Sequence, residues 1–249
     1  MNLNGLFLAN GISKRFGQVR ALDNVTLTVD RGTLTLLIGP NGSGKTTFIQ
    51  VAGGLLEPES GTIFFEGRDV TRLPPHKRFE LGIVTTFQIP HLFPSLSVLE
   101  NVLIASYRGV DDFFKLAFRR SERGLVDKAF EVLKLLSLER AWDKPASSLS
   151  GGQMKLLELA RALMGEPKLL LLDEPLAGVN PTLAMEIMDR IAELRRRLGL
   201  TVLMVEHRLD LALKQADFVY VMHNGRVIAE GGPEEVLEHT EVRKAYLGE

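Results

Sequence analysis

The chain of 249 residues contains no cysteine. It can therefore form neither a disulfide nor a thiolate metal site, which fits a cytosolic protein. Neither charge dominates. Thirty Lys and Arg stand against 31 Asp and Glu, a formal net charge of -1. No overall basic field of the kind that draws nucleic acid is present, and no nucleic-acid partner is expected. No run reaches the roughly 18 consecutive apolar residues of a spanning helix, so any membrane role must run through a partner. Met1–Asn10 has no positive segment leading into an apolar run, so no secretory signal is expected. Internal repeats and low-complexity tracts are also missing.

What is present is an ordinary globular composition, 45% hydrophobic and 24% charged, long enough for one large domain or two small ones. The first part reads as strands and turns. Leu6–Ile12 and Asn24–Val29 are short apolar-rich runs, Thr33–Ile38 is a buried-strand pattern, and Thr62–Phe65 is a further strand. A helix is expected to about Ala52, ended by Gly53-Gly54. From Ser97 to Leu138 the period becomes helical, opened by the capping box Ser97-Val98-Leu99-Glu100. A helix follows Ser150 to about Met164. The last part alternates: strand Leu169–Leu172, helix Leu183–Leu198, strand Thr201–Val205, helix Leu209–Gln215, strand Phe218–Met222. Such alternation implies a parallel sheet with crossover helices.

Three segments carry chemistry. Gly39-Pro40-Asn41-Gly42-Ser43-Gly44-Lys45-Thr46 matches the phosphate-binding P-loop. Its glycines let successive amides, from Asn41, Gly42, Ser43 and Gly44 through Thr47, turn toward one anion. The following helix adds its positive end. Lys45 can reach the β- and γ-phosphates and Thr46 can ligate Mg²⁺. Leu169–Leu172 delivers Asp173 and Glu174 to the carboxyl end of a strand, where α/β ligand sites lie. Asp173 suits Mg²⁺ and Glu174 suits activation of a water. Leu149-Ser150-Gly151-Gly152-Gln153 starts a helix with an S-x-x-Q capping box. Its glycines leave amides open to a phosphate.

The order of these segments resembles the ABC ATPase family over most of the chain. The smaller family marks are also found. Gln88 resembles the glutamine that touches Mg²⁺ and the attacking water, His207 the switch histidine on the γ-phosphate, and Phe16 the aromatic that stacks on adenine. The resemblance implies an α/β fold: a P-loop hydrolase core with a mostly parallel sheet, an N-terminal antiparallel β portion and an inserted α-helical subdomain. Residues 1–89 and 149–249 would form the nucleotide-binding core and 90–148 the helical part. It also implies ATP and Mg²⁺ as ligands, and a head-to-tail partnership with a second ATP-binding subunit. Ser150, Gly152 and Gln153 of one subunit would then close over the ATP held by Lys45 of the other.

Within that family the chain is most similar to the ATP-binding subunits of branched-chain amino-acid importers. The stretches concerned are Leu176-Ala177-Gly178-Val179-Asn180-Pro181, the surroundings of Thr86-Phe87-Gln88 with Ser97–Asn101, and the end Tyr246–Glu249. Met154-Lys155 departs from the usual residues after Gln153. That resemblance implies integral membrane permease subunits, an external solute-binding protein and a peripheral place on the cytoplasmic face of the cell membrane. Gln88 and the segment Pro90–Asn101, with its apolar Leu92, Phe93 and Leu96, are expected to face the permease. Lipopolysaccharide export and urea uptake remain alternative assignments. A DNA-repair type ABC ATPase fits less well, because the interval from Lys45 to Ser150 is compact and shows no heptad array. Asp111–Arg120 reads as a helical insert packing its aromatics on its own subdomain, with contact to the membrane surface or the partner as the alternative, and His76-Lys77-Arg78 reads as a solvated face.

Overall fold

The structure, a computed structural model, describes residues 5–86, 91–106 and 122–242. It opens with a long hairpin. Strand β1 (Gly5–Phe16) pairs antiparallel with β2 (Val19–Asp30), from Gly5 opposite Asp30 to Phe16 opposite Val19. Both strands outrun the apolar segments that mark them, because ladder hydrogen bonds carry the pairing through the polar residues near the turn. The short β3 (Leu34–Ile38) follows and is buried throughout. Strands β4 (Ser60–Phe65) and β5 (Arg68–Asp69) join the hairpin as an antiparallel sheet in the order β2-β1-β4-β5.

The second sheet has six strands: β3, β6 (Ile83–Thr85), β7 (Leu169–Asp173), β8 (Thr201–Val205), β9 (Phe218–His223) and β10 (Arg226–Gly231). Their order is β10-β9-β3-β8-β7-β6. Every neighbouring pair is parallel except the β9-β10 hairpin. Its central strands are apolar without alternation because both faces are covered. Leu169, Leu171, Leu203 and Val205 point into a core shared with the antiparallel sheet and the helix α1 (Lys45–Ala52). Leu170, Leu172, Val202 and Met204 point the other way, into a core built with helices.

Those helices are α3 (Val98–Ile104), α4 (Glu122–Leu135), α5 (Gly151–Met164) and α6 (Pro181–Leu198). The short α2 (Pro75–Leu81) precedes them, and α7 (Leu209–Ala212) and α8 (Pro233–Glu238) follow. Helices α3, α4 and α5 pack on one another, so the helical layer takes in Gly151–Met164 as well as part of 90–148. The expected capping boxes at Ser97 and Ser150 both form. The expected helix over Leu209–Gln215 is one α-helical turn followed by a 3₁₀ turn, Leu213–Gln215. Asp111–Arg120 and Tyr246–Glu249 lie outside the described residues.

One surface expectation is overturned. His76 and Lys77 are exposed, but Arg78 is only 1% exposed. Its guanidinium points inward because four backbone carbonyls await it there, those of Val51, Ala52, Thr71 and Leu73.

Candidate functional site

The site gathers at the carboxyl ends of β3, β7 and β8. After Ile38 the chain turns through Gly39, Gly42 and Gly44, all with positive φ. At two of these a side chain has no room. A Cβ on Gly39 would sit 2.1 Å from the Met222 carbonyl oxygen, and one on Gly44 2.3 Å from that of Ala21. Gly44 is the N-cap of α1, so the open amide end of the helix faces the loop. Asn41 and Gly42 are exposed at its rim, Ser43 is buried, and Thr47 is half-buried.

Lys45 is buried inside the loop. Its Nζ donates to the carbonyls of Gly39 and Pro40, each at 2.9 Å, and lies 3.4 Å from Ser43 Oγ. Burial pulls its pKa down, while the charges of Glu174 and Asp173 oppose that shift. Thr46 Oγ1 donates to Asp173 Oδ1 at 3.3 Å. Burial pushes the Asp173 carboxyl up from its ordinary value, and the neighbouring Glu174 adds to the effect.

Glu174 has a left-handed backbone, φ 49°. Its amide donates to the Val205 carbonyl at 2.9 Å, which holds the residue at the tip of β8. From there Glu174 Oε1 meets His207 Nε2 at 2.6 Å. Strand β8 thus presents His207 to the acid that β7 delivers. Thr46, Asp173, Glu174 and His207 are therefore linked, with Lys45 inside the same field.

Phe16 is 49% exposed at the end of β1, opposite Val19. Ala21, two residues beyond Val19 along β2, lies against the loop, its carbonyl oxygen 2.3 Å from where a Cβ on Gly44 would sit. Ser150 and Gln153 are exposed and bond to each other: the Ser150 amide donates to Gln153 Oε1 at 3.0 Å, and the Gln153 amide to Ser150 Oγ at 3.3 Å. The two glycines between them differ. Gly151 faces open space, but a Cβ on Gly152 would come within 1.7 Å of Leu183 Cδ2. A side chain at Gly152 would therefore have to displace that of Leu183, in the first turn of α6. Gln88 lies outside the described residues. Thr86, two residues before it, is tied to the Leu171 carbonyl at 2.9 Å.

Two charged residues of the site escape a reading of motifs. Glu206, 2% exposed, accepts hydrogen bonds from the amides of Leu176, His207 and Arg208. The only local signal for it is its place at the end of an apolar strand. Lys155, on the second turn of α5, is half-buried. Burial lowers its pKa against the charges of Glu158, Glu206, Asp173 and Glu174, so α5 directs a cation toward the acids beyond β7 and β8. Beside Thr86 an open groove of about 430 Å³ is lined by Leu55, Phe79, His91, Ala105 and Arg161. The Arg161 guanidinium is also 5.3 Å from the ring centre of Phe93, which is 44% exposed. Leu92 and Leu96 are half-buried.

A parallel sheet with a glycine loop, a buried lysine and a helix start at its carboxyl edge defines a P-loop nucleotide-binding protein. Residues 22–177, more than half of the chain, match the family described as ABC transporter. Residues 226–249 match the one described as branched-chain amino acid ATP-binding cassette transporter. The chain is 49% identical to the probable branched-chain amino acid transport ATP-binding protein LivG of Archaeoglobus fulgidus, over 95% of this chain and 93% of that protein. Among solved structures it is similar to an ATP-binding cassette of an ABC transporter in its ADP conformation, with a TM-score of 0.87 and 42% identity over 98% of this chain and 99% of the other. It is also similar to a dimeric cassette in a post-hydrolysis state bound to ADP and Pi, with a TM-score of 0.78 and 28% identity over 91% and 98% of the two chains. The chain belongs to the ABC transporter family, and it has the α/β cassette fold of that family's ATP-binding subunits.

Proposed function

We propose that this chain hydrolyses ATP to energise the import of branched-chain amino acids through separate permease subunits. The observation that carries the chemistry is the link Thr46–Asp173 and Glu174–His207 beside the Lys45 loop. The amides of Asn41 through Thr47 and the Lys45 ammonium hold the phosphates. Phe16 stacks on the adenine. Thr46 and Asp173, with Gln88, offer hard oxygen donors that suit Mg²⁺, and phosphate oxygens and water complete such a site. Among the described residues no group of three or more His, Cys, Asp or Glu forms a cage of its own. A bound Mg²⁺ supplies positive charge to the phosphate oxygens. Glu174 takes a proton from the water whose oxygen attacks the γ-phosphorus, as the bond to the β-phosphate oxygen breaks. His207 contacts the γ-phosphate and holds Glu174 in line.

Ser150, Gly152 and Gln153 of a second copy or paralogue close the site. That a similar cassette is dimeric supports the pairing of two subunits. The groove beside Thr86 takes the permease. Among the described residues no helix is long and apolar enough to cross a membrane. The chain holds a peripheral place on the cytoplasmic face through the permease. An external solute-binding protein delivers the substrate. The names of the relatives favour amino-acid import over lipid export or urea uptake.

The test has two arms. Purified Glu174→Gln should bind ATP normally and lose ~10²–10⁴-fold in turnover, the usual loss on removing a general base. Turnover near that of the parent protein removes Glu174 from the mechanism. Cells lacking this subunit should lose uptake of labelled leucine; loss of urea uptake instead would replace the substrate class.

A further inference from the structure

We infer that Glu206 is a positioning residue for hydrolysis, a buried carboxylate that brackets the segment after β7 against the segment after β8 and so holds Glu174 and His207 face to face. The inference rests on the proposed ATPase chemistry and extends it to a residue outside the motifs.

Strands β7 and β8 run parallel in register as far as Asp173 opposite Val205. The amide of Glu174 makes the next link, to the Val205 carbonyl. Pro175 follows with no amide to give, and the chain leaves the sheet. The Glu206 carboxylate takes over at that point. Oε1 accepts from the Leu176 amide at 2.7 Å, on the β7 side. Oε2 accepts from the His207 amide at 3.0 Å and the Arg208 amide at 3.4 Å, on the β8 side. One planar group therefore sets the spacing of the two segments, two residues past Glu174 and next to His207. A carboxylate is a costly choice for a filler here. Burial raises its pKa, and the nearby charge of Glu174 works in the same direction. What it offers in return is two acceptor oxygens at a fixed separation, so that both sides are held at once.

Glu206→Gln keeps the size of the side chain but replaces one oxygen with an NH₂ group, which faces an amide donor, so one side of the bracket opens. In the purified full-length chain, kcat should fall about 10- to 100-fold, the loss typical of catalytic groups displaced by about an ångström. The KM for ATP and the affinity for a fluorescent ATP analogue should stay within about twofold, because the phosphate loop is untouched. The melting temperature should stay close to that of the parent. In a His207→Ala background the same substitution should cost far less, because the two residues act through one arrangement. Unchanged kcat in folded Glu206→Gln protein overturns the inference, as does a loss of kcat with parallel losses of affinity and melting temperature. Should Glu206→Gln not fold, Glu206→Asp, one methylene too short to reach both sides, is read in the same way. Failure of both to fold assigns the residue to the fold alone and overturns the inference. Glu174→Gln separates the two readings: if it remains active the ATPase mechanism itself fails, whereas if it is inactive and Glu206→Gln is not, only the role of Glu206 fails.

Discussion

Arg78 Nη1 donates to the Ala52 carbonyl at 2.6 Å and to that of Val51 at 2.8 Å, so a side chain from α2 closes the C-terminal end of the helix that begins at Lys45. The same guanidinium reaches Leu73 and Thr71. Burial pulls its pKa down to about 10, partly offset by Asp69. The positive charge suits the negative end of a helix dipole. Removing it would leave four carbonyls without this partner in a closed space. Arg78→Met should therefore destabilise the protein by ~3 kcal/mol or more, read from the urea midpoint. Arg78→Lys should recover only part of that, because an ammonium lacks the fork that reaches four acceptors. A midpoint unchanged in Arg78→Met would show that water replaces the guanidinium at no cost.

Lys45→Ala should weaken nucleotide binding itself. The ammonium is already held inside the loop by the carbonyls of Gly39 and Pro40, at the position from which a cation meets phosphate oxygens. Loss of one charge-assisted hydrogen bond, roughly 1.5–3 kcal/mol, corresponds to about 10- to 100-fold in affinity. Titration with a fluorescent ATP analogue measures it, and unchanged affinity would remove Lys45 from phosphate binding.

Glu174→Gln protein should pass from monomer to dimer when ATP is added, and Ser150→Arg should block that passage. The Ser150 cap holds the helix start through Gln153, and its loss costs ~1 kcal/mol. The bulk of an arginine at this exposed position weighs more, because it would stand where the partner's nucleotide must approach. Light scattering on the single and double variants decides. A double variant that dimerises as readily as the single one would take the signature out of the interface.

Asp173→Asn should abolish Mg²⁺-dependent hydrolysis and yet stabilise the protein measured without nucleotide. Burial and Glu174 raise the Asp173 pKa above its unfolded value. Between the unfolded and folded values the native state therefore binds the extra proton, and stability falls as pH rises through that window. At neutral pH the ionised carboxylate is a cost that an amide avoids. A relief of ~1 kcal/mol would raise the melting temperature by ~2–4 °C for a chain of this size. A lower melting temperature would mean that the charge is balanced in the native state, with Lys45 and Lys155 as the first candidates.

The parts of the site that were legible are those whose meaning is local. The turn from Gly39 to Thr46, the capped start at Ser150 and the acids after Leu172 each state their geometry within a few residues. The parallel sheet follows from the alternation of strand and helix patterns between Leu169 and Met222. Residues whose roles depend on distant neighbours were not legible. Arg78 finds two of its four acceptors 26 and 27 positions away, and Glu206 reaches Leu176 across 30. At Gly152 the motif speaks of freedom, whereas the side chain it leaves room for is Leu183 of another helix. The hairpin of β1 and β2 was underestimated for a related reason: backbone pairing extends it where its side chains carry no apolar signal.

The contact of Gly152 with Leu183 has a mechanical meaning. Leu183 stands in the first turn of α6, where its amide is held by the Asn180 side chain at 2.9 Å. That turn is joined through residues 175–180 to Glu174 itself. The capped helix start at Ser150, proposed to meet a partner's ATP, therefore lies against the segment that leads from Glu174. In a head-to-tail pair each subunit would sense its neighbour's nucleotide through the same few atoms that steady its own chemistry. Under the proposed pairing, a bulkier residue at position 152 would displace Leu183 and so disturb both clefts together.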